Sequence, residues 1–174
     1  MEMLEELLYC SVSVPSQLTN VDLDHILASA RRRNVAENIT GMLLYYRGEF
    51  VQILEGEKTS VENIYQKFIG SDLRHTALNK VHQNTISYRS FSEWSMGFVG
   101  AAEIESHMPS SVMGVVMNML TEEAKSNRLS LGLNAFVSIY NQMRKSPYMW
   151  FLYELEHLQQ SLSELGSNFE MQYS

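Results

Sequence analysis

The apolar positions of the first hundred residues follow two periods, one typical of strands and one typical of helices. Strand-like runs, rich in apolar and β-branched residues, cover residues 4–14, 39–46, 50–55, 78–86 and 94–99. Helical spacing of three and four residues occurs from Val21 to Ala30, after the candidate caps Thr19 and Asn20, and again from Val61 to Phe68. Gly56 is predicted to end the third strand. The order β-α-β-β-α-β-(β) predicts an α+β, ferredoxin-like fold, an antiparallel sheet with both helices on one face.

Both faces of this sheet are predicted to be largely apolar. Alternation in the first strand separates two sets of side chains, Leu7, Tyr9 and Ser11 on one face and Leu8, Cys10 and Val12 on the other. Two helices can cover only one face, so the second face needs another cover.

The C-terminal region offers that cover. After Pro109, two helical stripes follow, Met113, Val116, Met117 and Leu120, then Leu133, Phe136, Tyr140 and Met143. A third helix is predicted from Ser146-Pro147 to Gly166, with an apolar seam of about three heptads, Tyr148, Phe151, Leu155, Leu158, Leu162 and Leu165. These helices either pack on the second face of the sheet or form a dimer or partner interface. We expect a first domain at 1–102 and a docked helical extension at 103–174, without a flexible linker between them.

Composition narrows the function classes. The chain of 174 residues has a net charge of −7, which argues against direct nucleic-acid binding. Its basic cluster, Arg31 to Arg33, is interpreted as a solvated helix end. A single cysteine excludes an intrachain disulfide and a thiolate metal cluster. No signal peptide or apolar span is evident, so we expect a soluble, cytoplasmic protein without a metal or a membrane contact.

Few residues suggest catalysis. His75 and His82 lack the neighbours of a metal site or a triad. Tyr9 and Gln52, in contrast, fall on strand faces predicted to meet the helices. A buried phenol or amide needs partners, because an unsatisfied one costs roughly 1–3 kcal/mol. Either the two side chains bond each other inside the core, or they line a pocket whose ligand supplies further partners.

A series of motifs spread over residues 4–100 resembles the BLUF family, the blue-light sensors that use flavin adenine dinucleotide. The matching pieces, in chain order, are Leu7-Leu8-Tyr9-Cys10-Ser11, Ala30-Arg31-Arg32-Arg33-Asn34, Asn38-Ile39-Thr40-Gly41-Met42-Leu43, Phe50-Val51-Gln52-Ile53-Leu54-Glu55-Gly56, Asp72-Leu73-Arg74-His75 and Phe91-Ser92-Glu93-Trp94-Ser95-Met96. Each piece is weak alone, but the ordered set is specific. The ferredoxin-like order is also the fold that this resemblance implies.

The resemblance implies a flavin site between the two helices. FAD would be the cofactor, with FMN or riboflavin as possible substitutes. Ile26 and Phe68 would flank the ring, and Asn34 would hold its pyrimidine edge. Tyr9 and Gln52 would be linked to the edge near N5 and O4. Arg74 and His75 would lie near the pyrimidine and ribityl side. Arg33 stands where some relatives carry a second asparagine.

Trp94 and Met96 are the further photoactive residues that the resemblance implies. They are expected to share a face of the last strand and to approach Gln52. Trp94 would then either compete with Tyr9 as an electron donor or simply pack in the core.

The implied function is that of a blue-light photoreceptor that turns over no substrate. Tyr9 would donate an electron to the excited flavin, and Gln52 would rotate or tautomerise. The last strand would relay the change to the C-terminal helices, which would regulate association with a downstream protein. A homo-oligomer is expected. Three alternatives remain open: a light-regulated enzyme with an unrecognised effector, a flavin redox protein and a flavin-free scaffold.

Overall fold

A computed structural model describes residues 3–145 of the chain, except residues 107, 109 and 127. The strands are β1 (Leu4–Ser13), β2 (Thr40–Tyr46), β3 (Glu49–Glu57), β4 (His75–Ile86) and β5 (Gly97–Val99). The helices are α1 (Asn20–Ala36), α2 (Lys58–Asn63) with a π-helical continuation (Ile64–Ile69), α3 (Ala101–Glu105), α4 (Val112–Ala124) and α5 (Leu131–Lys145). The predicted third helix of the extension, residues 146–166, lies outside the described residues.

The five strands form one sheet in the order β4-β1-β3-β2-β5. The first four give the predicted ferredoxin-like arrangement, with antiparallel pairing of β1 with β3, β1 with β4 and β2 with β3. The added strand β5 pairs parallel to β2, so the sheet is mixed rather than wholly antiparallel. The α+β class and the ferredoxin-like order predicted from the sequence are therefore confirmed.

Two predicted strand limits were wrong. Gly56 does not end the third strand, since β3 continues to Glu57 and Gly56 pairs with Glu5 of β1. The last strand begins at Gly97 rather than at Trp94, because only Gly97 to Val99 pair with β2. The residues from 94 to 96 instead form an irregular segment before β5.

The start of α1 matches its sequence signals. Thr19 is the N-cap and accepts a hydrogen bond at its Oγ1 from the Asp22 backbone N–H at 3.2 Å. The Asp22 carboxylate accepts in return from the Thr19 backbone N–H at 2.9 Å. This reciprocal capping box fixes where α1 begins and how it lies on the sheet.

The second helix changes its geometry halfway along. After Asn63 it continues as a π-helix, in which the Gly70 N–H donates to the Tyr65 carbonyl at 2.9 Å, five residues back. A π-helix places residues five apart on the same side, whereas an α-helix places residues three and four apart together. This difference decides which of its side chains face the sheet.

Each face of the sheet carries its own apolar core. Leu7, Leu43 and Leu54 pack with Leu27 of α1 and Ile64 of the π-helix. The second core holds Leu8, Cys10 and Ile53 on the sheet and, from the extension, a set that includes Met117, Leu133, Phe136, Tyr140 and Met143. The second face is thus covered by α4 and α5, which was one of the two arrangements left open by the sequence.

In the described ranges, no helix combines the length and the apolar character needed to cross a bilayer. The same residues contain no group of three or more histidine, cysteine or acidic side chains placed to hold a metal ion.

Candidate functional site

Tyr9 and Gln52 lie directly opposite each other on β1 and β3. Both side chains are buried on the face that packs against α1 and the π-helix, as the alternation predicted. The Tyr9 hydroxyl donates to the Gln52 Oε1, and the Gln52 Nε2 lies 3.1 Å from the Met96 Sδ, a weak acceptor. The phenol, the amide and the thioether therefore form one continuous chain of contacts.

Burial keeps the Tyr9 phenol in its protonated form. Removal from water raises its pKa well above the ordinary value, and the nearby Tyr65 and Asp72 act in the same direction. The Tyr65 ring meets the Tyr9 ring edge-on, with centroids 5.5 Å apart. Tyr9 is therefore held as a hydrogen-bond donor whose proton points at the Gln52 amide.

This pair lies in a cleft between α1 and the π-helix that contains about 570 Å³ of space, its open mouth included. Six residues expected at a flavin site line it, Tyr9, Ile26, Asn34, Gln52, Arg74 and His75. Apolar side chains form most of the remaining wall, Ala30, Leu43, Phe50, Ile64 and Ile69. A slot with apolar walls and a few polar groups at its edges suits a flat aromatic ligand with a hydrogen-bonding rim.

Asn34 joins the cleft to the segment before β5. Its side-chain amide, in a residue that is 2% exposed, donates to the Ser95 carbonyl at 2.6 Å. The neighbouring Arg31 donates from Nε to the Met96 carbonyl at 3.0 Å. Helix α1 therefore holds the backbone on both sides of the Ser95–Met96 peptide. No local sequence pattern indicates this role for Arg31, whose cluster is predicted to be a solvated helix end.

The far end of the cleft is fixed by His75, Arg74 and Asp72. The His75 Nε2 lies 3.0 Å from the Ile69 carbonyl, which can only accept, so this nitrogen carries the proton. The Nδ1 lies 2.8 Å from the Ser11 Oγ, which donates to it. Burial lowers the pKa of His75 and favours this neutral ring. Ser11 was not among the predicted site residues, although it shares a strand face with Tyr9.

Asp72 and Arg74 form a charged pair at the mouth. The Arg74 Nε donates to the Asp72 Oδ1 at 2.8 Å. Burial alone would raise the pKa of Asp72, but the hydrogen bonds and charge of Arg74 outweigh it and hold the pKa below its usual value. The Asp72 carboxylate is therefore ionised. It neutralises the charge of Arg74, one of two arginines that line the cleft, the other being Arg33.

Phe68 does not flank the cleft, so this predicted position was wrong. Its side chain is 37% exposed, and the Arg33 guanidinium lies 5.2 Å from its ring centroid on the outer side. Ile64 and Ile69 form the wall instead. The reason is the π-helical turn, which aligns residues five apart, whereas the sequence pattern was interpreted with α-helical spacing.

Trp94 and Met96 lie on opposite faces of the sheet. The prediction that they share a face of the last strand was therefore wrong. Met96 is buried in the core that contains Tyr9, whereas Trp94 packs against the core beneath α5. Both precede β5, so strand alternation does not apply to them directly. Of the two, Met96 is the residue whose sulfur lies beside the Gln52 amide.

The polar groups of the cleft are compatible with a flavin. Asn34 and Gln52 present amides, each with donors and an acceptor, and Tyr9 presents a phenol. A flavin rim combines carbonyl oxygens, ring nitrogens and an N–H, so such mixed groups can match it. When bound, the flavin supplies absorption of blue light and an excited state that is a strong oxidant.

Comparison with known proteins agrees with this geometry. The description "BLUF: Sensors of blue-light using FAD" matches residues 4–97. The photoactivated adenylate cyclase subunit beta of Euglena gracilis is 42% identical over 80 residues, or 45% of this chain and 9% of that protein. A beta-like protein FB of Euglena gracilis is 34% identical over 110 residues, or 63% of this chain and 12% of that protein. The chain thus corresponds to a small part of these curated relatives.

Solved structures are similar over the same region. The dark state of the BLUF protein BlrB has a TM-score of 0.52 and 32% identity, covering 57% of this chain and 74% of that one. The ground state of BlsA has a TM-score of 0.54 and 31% identity, covering 67% and 73%. A bacterial light-regulated adenylyl cyclase has a TM-score of 0.55 and 29% identity, covering 71% and 35%. The matched sequence, the sheet order and the cleft agree, and the chain belongs to the BLUF family of blue-light sensors that use FAD.

Proposed function

We propose that FAD binds in the cleft between α1 and the π-helix, that Tyr9 is its electron donor, and that Gln52 is the switch. The observation that carries this proposal is the buried chain of contacts from Tyr9 through Gln52 to Met96. Each of the three side chains could be buried for packing alone. Their arrangement in series beside an apolar slot is what favours a role in light sensing.

The electron and the proton of Tyr9 have separate destinations. Tyr9 would supply its electron to a flavin bound in the cleft, and its phenolic proton has the Gln52 Oε1 as its nearest acceptor. When both return, Tyr9 is restored, and no net oxidation has taken place. Gln52 is left with its donor and acceptor ends exchanged, by rotation or tautomerisation, because an amide can present either end to the same neighbour.

Exchange of the donor and acceptor ends of the amide changes the hydrogen bonds that Gln52 can make toward a bound flavin and toward Met96. With its N–H turned toward the cleft, Gln52 would donate to a bound flavin, and the absorption of the flavin would shift to the red. On the other side, Met96 meets an oxygen instead of an N–H, and a sulfur acceptor gains nothing from that contact. The change at Gln52 therefore weakens one restraint on the segment before β5.

We infer that this segment passes the change to the extension. Met96 directly precedes β5, where an added Cβ at Gly97 would lie 2.8 Å from the Met113 Sδ of α4. Packing this close transmits small displacements, because cores have few voids that could absorb them. The output is then an altered surface on the helical extension, read by a downstream regulatory protein, with a homo-oligomer of the sensor as the form that binds it.

A light-regulated enzyme is the second candidate, because several relatives are named as adenylate cyclases. Residues 98–174 lie outside the matched family region. We favour partner binding, with no substrate turned over by this chain. Incubation of the flavin-loaded protein with ATP, in darkness and under blue light, separates the two. Light-dependent cyclic AMP formation would favour the enzyme.

The test of the switch is the variant Gln52→Leu, with Gln66→Leu as its control. Gln66 is an exposed residue of the π-helix, so the same change there leaves the cleft intact. We expect the Gln52 variant to retain flavin and to lose the light-induced red shift, and the Gln66 variant to keep both. A normal shift in flavin-loaded Gln52→Leu would refute the proposal.

A further inference from the structure

The cleft carries an excess of positive charge, although the whole chain has a net charge of −7. The residues that line it include two arginines and one aspartate, namely Arg33, Arg74 and Asp72. His75 also lines the cleft, but burial lowers the pKa of its ring and favours the neutral form. One positive charge at the cleft is therefore left without a matching negative charge.

The unmatched charge is not that of Arg74, because Asp72 holds the guanidinium of Arg74. The Arg74 Nε donates to both oxygens of the Asp72 carboxylate, at 2.8 and 3.1 Å, and the Arg74 backbone N–H donates to Oδ1 at 3.0 Å. Within the part of the chain that the structure describes, no carboxylate forms an ion pair with Arg33. The unmatched positive charge is thus the one on Arg33.

Arg33 differs from its two neighbours in the arginine cluster of α1. Arg31 and Arg32 are exposed, whereas Arg33 is half-buried and lines the cleft. Its guanidinium carbon lies 5.2 Å from the centroid of the Phe68 ring. This cation–π contact positions the guanidinium through its charge, so the N–H groups remain able to donate to a ligand.

The surroundings of Arg33 favour an anion beside it. Burial and the charge of Arg74 lower the pKa of the Arg33 guanidinium, and Asp72 acts in the opposite direction. The guanidinium stays charged, because an arginine is not deprotonated in a protein. A cation that is partly removed from water and lies near a second cation is stabilised by an anion that accepts its hydrogen bonds.

The tail of a bound flavin would point toward this cation. Tyr9 and Gln52 are buried at the floor of the cleft, whereas the Arg74 side chain is 38% exposed at its mouth. If the N5 and O4 edge of the ring meets Tyr9 and Gln52, then N10, on the opposite edge, faces the mouth. The ribityl chain is attached at N10 and ends in a phosphate in FMN and FAD. Riboflavin has the same ring and chain without the phosphate.

We propose that Arg33 binds the phosphate at the end of the ribityl chain and makes the site selective for FMN and FAD over riboflavin. This inference rests on the proposed flavin site and adds to it a residue that contacts the tail instead of the ring. A guanidinium suits this group, because its planar N–H fork can donate two parallel hydrogen bonds to phosphate oxygens. An asparagine at this position would offer no charge to the phosphate.

The acidic character of the chain makes this selectivity a specific expectation. A protein with a net charge of −7 repels a phosphorylated flavin, so riboflavin would bind at least as tightly as FMN without a local cation. Tighter binding of FMN therefore requires a positive group close to the phosphate. Arg32 carries the same charge one position earlier, but it is exposed and does not line the cleft.

Competition dialysis of the full-length, flavin-loaded protein tests the proposal. The protein is equilibrated in darkness with equal concentrations of riboflavin and FMN, or of riboflavin and FAD, at low ionic strength. The bound flavins are then released and separated by chromatography. Arg33→Gln is the test variant, Arg33→Lys keeps the charge, and Arg32→Gln is the matched control that removes the same net charge.

We expect the unaltered protein to prefer FMN and FAD to riboflavin by about tenfold, the size of one charge-assisted hydrogen bond. The preference should fall below about twofold in Arg33→Gln and persist in Arg33→Lys and Arg32→Gln, because a lysine also binds phosphate through its charge. Riboflavin alone should bind all four proteins alike, since it lacks the phosphate.

Three results would overturn the proposal while leaving the flavin site in place. The first is equal binding of riboflavin and FMN by the unaltered protein. The second is an equal loss of preference in Arg32→Gln and Arg33→Gln, because net charge alone would then explain it. The third is a parallel loss of riboflavin and FMN in Arg33→Gln, which would assign Arg33 to the ring. Failure of the unaltered protein to bind any flavin would instead refute the proposed function, and this inference with it.

Discussion

The buried polar side chains that line the cleft are two amides, a phenol and a hydroxyl, whereas the sheet face beneath α5 buries three carboxylates. The first set is Tyr9, Ser11, Asn34 and Gln52, and the second is Glu6, Glu49 and Glu55. An amide carries donors and an acceptor that can change places, but an ionised carboxylate only accepts. The amides of the cleft can therefore exchange their hydrogen bonds at little cost, whereas the Glu6 and Glu55 carboxylates only accept from the groups that they hold.

The second face uses its carboxylates as fixed anchors. The Glu6 Oε2 accepts from the Ser130 hydroxyl at 2.6 Å, and its Oε1 accepts from the Gly132 N–H at 3.0 Å. An added Cβ at Gly132 would lie 2.7 Å from the Glu6 Oε1, so only glycine allows this approach. Strand β1 thus holds the first turn of α5, three residues away from Tyr9 and on the opposite face.

Glu55 makes a similar anchor for the segment after β4. Its carboxylate accepts from the backbone N–H groups of Ser90 and Phe91, each at 2.9 Å. Phe91 is fully buried and packs edge-on against Phe136 of α5. If Gln52 is the switch, as proposed, its change would leave the cleft through the segment before β5 and reach α4, while α5 is held in place by β1.

The largest expected effect is on the first face. Tyr9→Phe removes the phenolic proton and the bond to Gln52 while it keeps the ring, so we expect loss of the light-induced spectral shift with flavin still bound. Tyr88→Phe, at a residue that is 63% exposed, is the matched control and is expected to behave as the unaltered protein. Absorption spectra before and after blue illumination measure both. An unchanged shift in Tyr9→Phe would contradict the proposal that the hydrogen bond from Tyr9 to Gln52 is needed for the light response.

The largest effect on the second face is one of stability. Glu6→Ala leaves the Ser130 hydroxyl and the Gly132 N–H without their acceptor, and we expect a loss of about 2–3 kcal/mol in the free energy of unfolding. Urea unfolding of flavin-loaded protein measures it. Glu93→Ala, at an exposed glutamate, should change the same quantity by less than about 0.5 kcal/mol. The spectral shift should survive in Glu6→Ala, and its loss would contradict the separation of the two faces.

Glu49 should make stability depend on pH. Burial raises the pKa of its carboxyl from 4.5 to about 7. Below pH 4.5 both the folded and the unfolded states bind the proton, so the stability is complete. Between pH 4.5 and 7 the unfolded state loses the proton first, and stability falls as the pH rises. We expect a loss of about 1–2 kcal/mol over this range, less than the full shift implies, because the folded protein relaxes around the charged carboxylate.

The variant Glu49→Gln isolates this effect. It cannot ionise, so the difference in free energy of unfolding between it and the unaltered protein should grow from pH 4.5 to 7 in favour of the variant. The exposed Glu93→Gln serves as the matched control and should give a difference that is flat over this range. A flat difference for Glu49→Gln would show that the carboxyl titrates normally.

The smallest effect distinguishes Met96 from Trp94. Met96→Leu removes the sulfur next to the Gln52 amide with little change in volume, and we expect the red shift to remain while the rate of dark recovery changes by up to about tenfold. Trp94→Phe, on the other face, should change that rate by less than about twofold. Recovery followed by absorbance after a light pulse compares them. A larger effect from Trp94 would place the relay beneath α5 instead.

The placement of Tyr9 and Gln52 could be predicted from the sequence because strand alternation has a strict period of two. The capping box at Thr19 likewise required only local residues. Phe68 was placed wrongly because a π-helical turn leaves no clear mark in the sequence, and an α-helical period was the natural assumption. Trp94 was placed wrongly because alternation was extended into a segment that forms no ladder with β2.

The sequence by itself determined the order of strands and helices, the apolar character of both sheet faces and, through its motifs, the family. These follow from local periods and from residues close together in the chain. Only the tertiary structure decided that Arg31 and Asn34 hold the segment before β5, that Ser11 fixes the His75 ring and that Glu6 anchors α5. Such contacts join residues far apart in sequence, and their hydrogen bonds depend on distances and directions that no local pattern encodes.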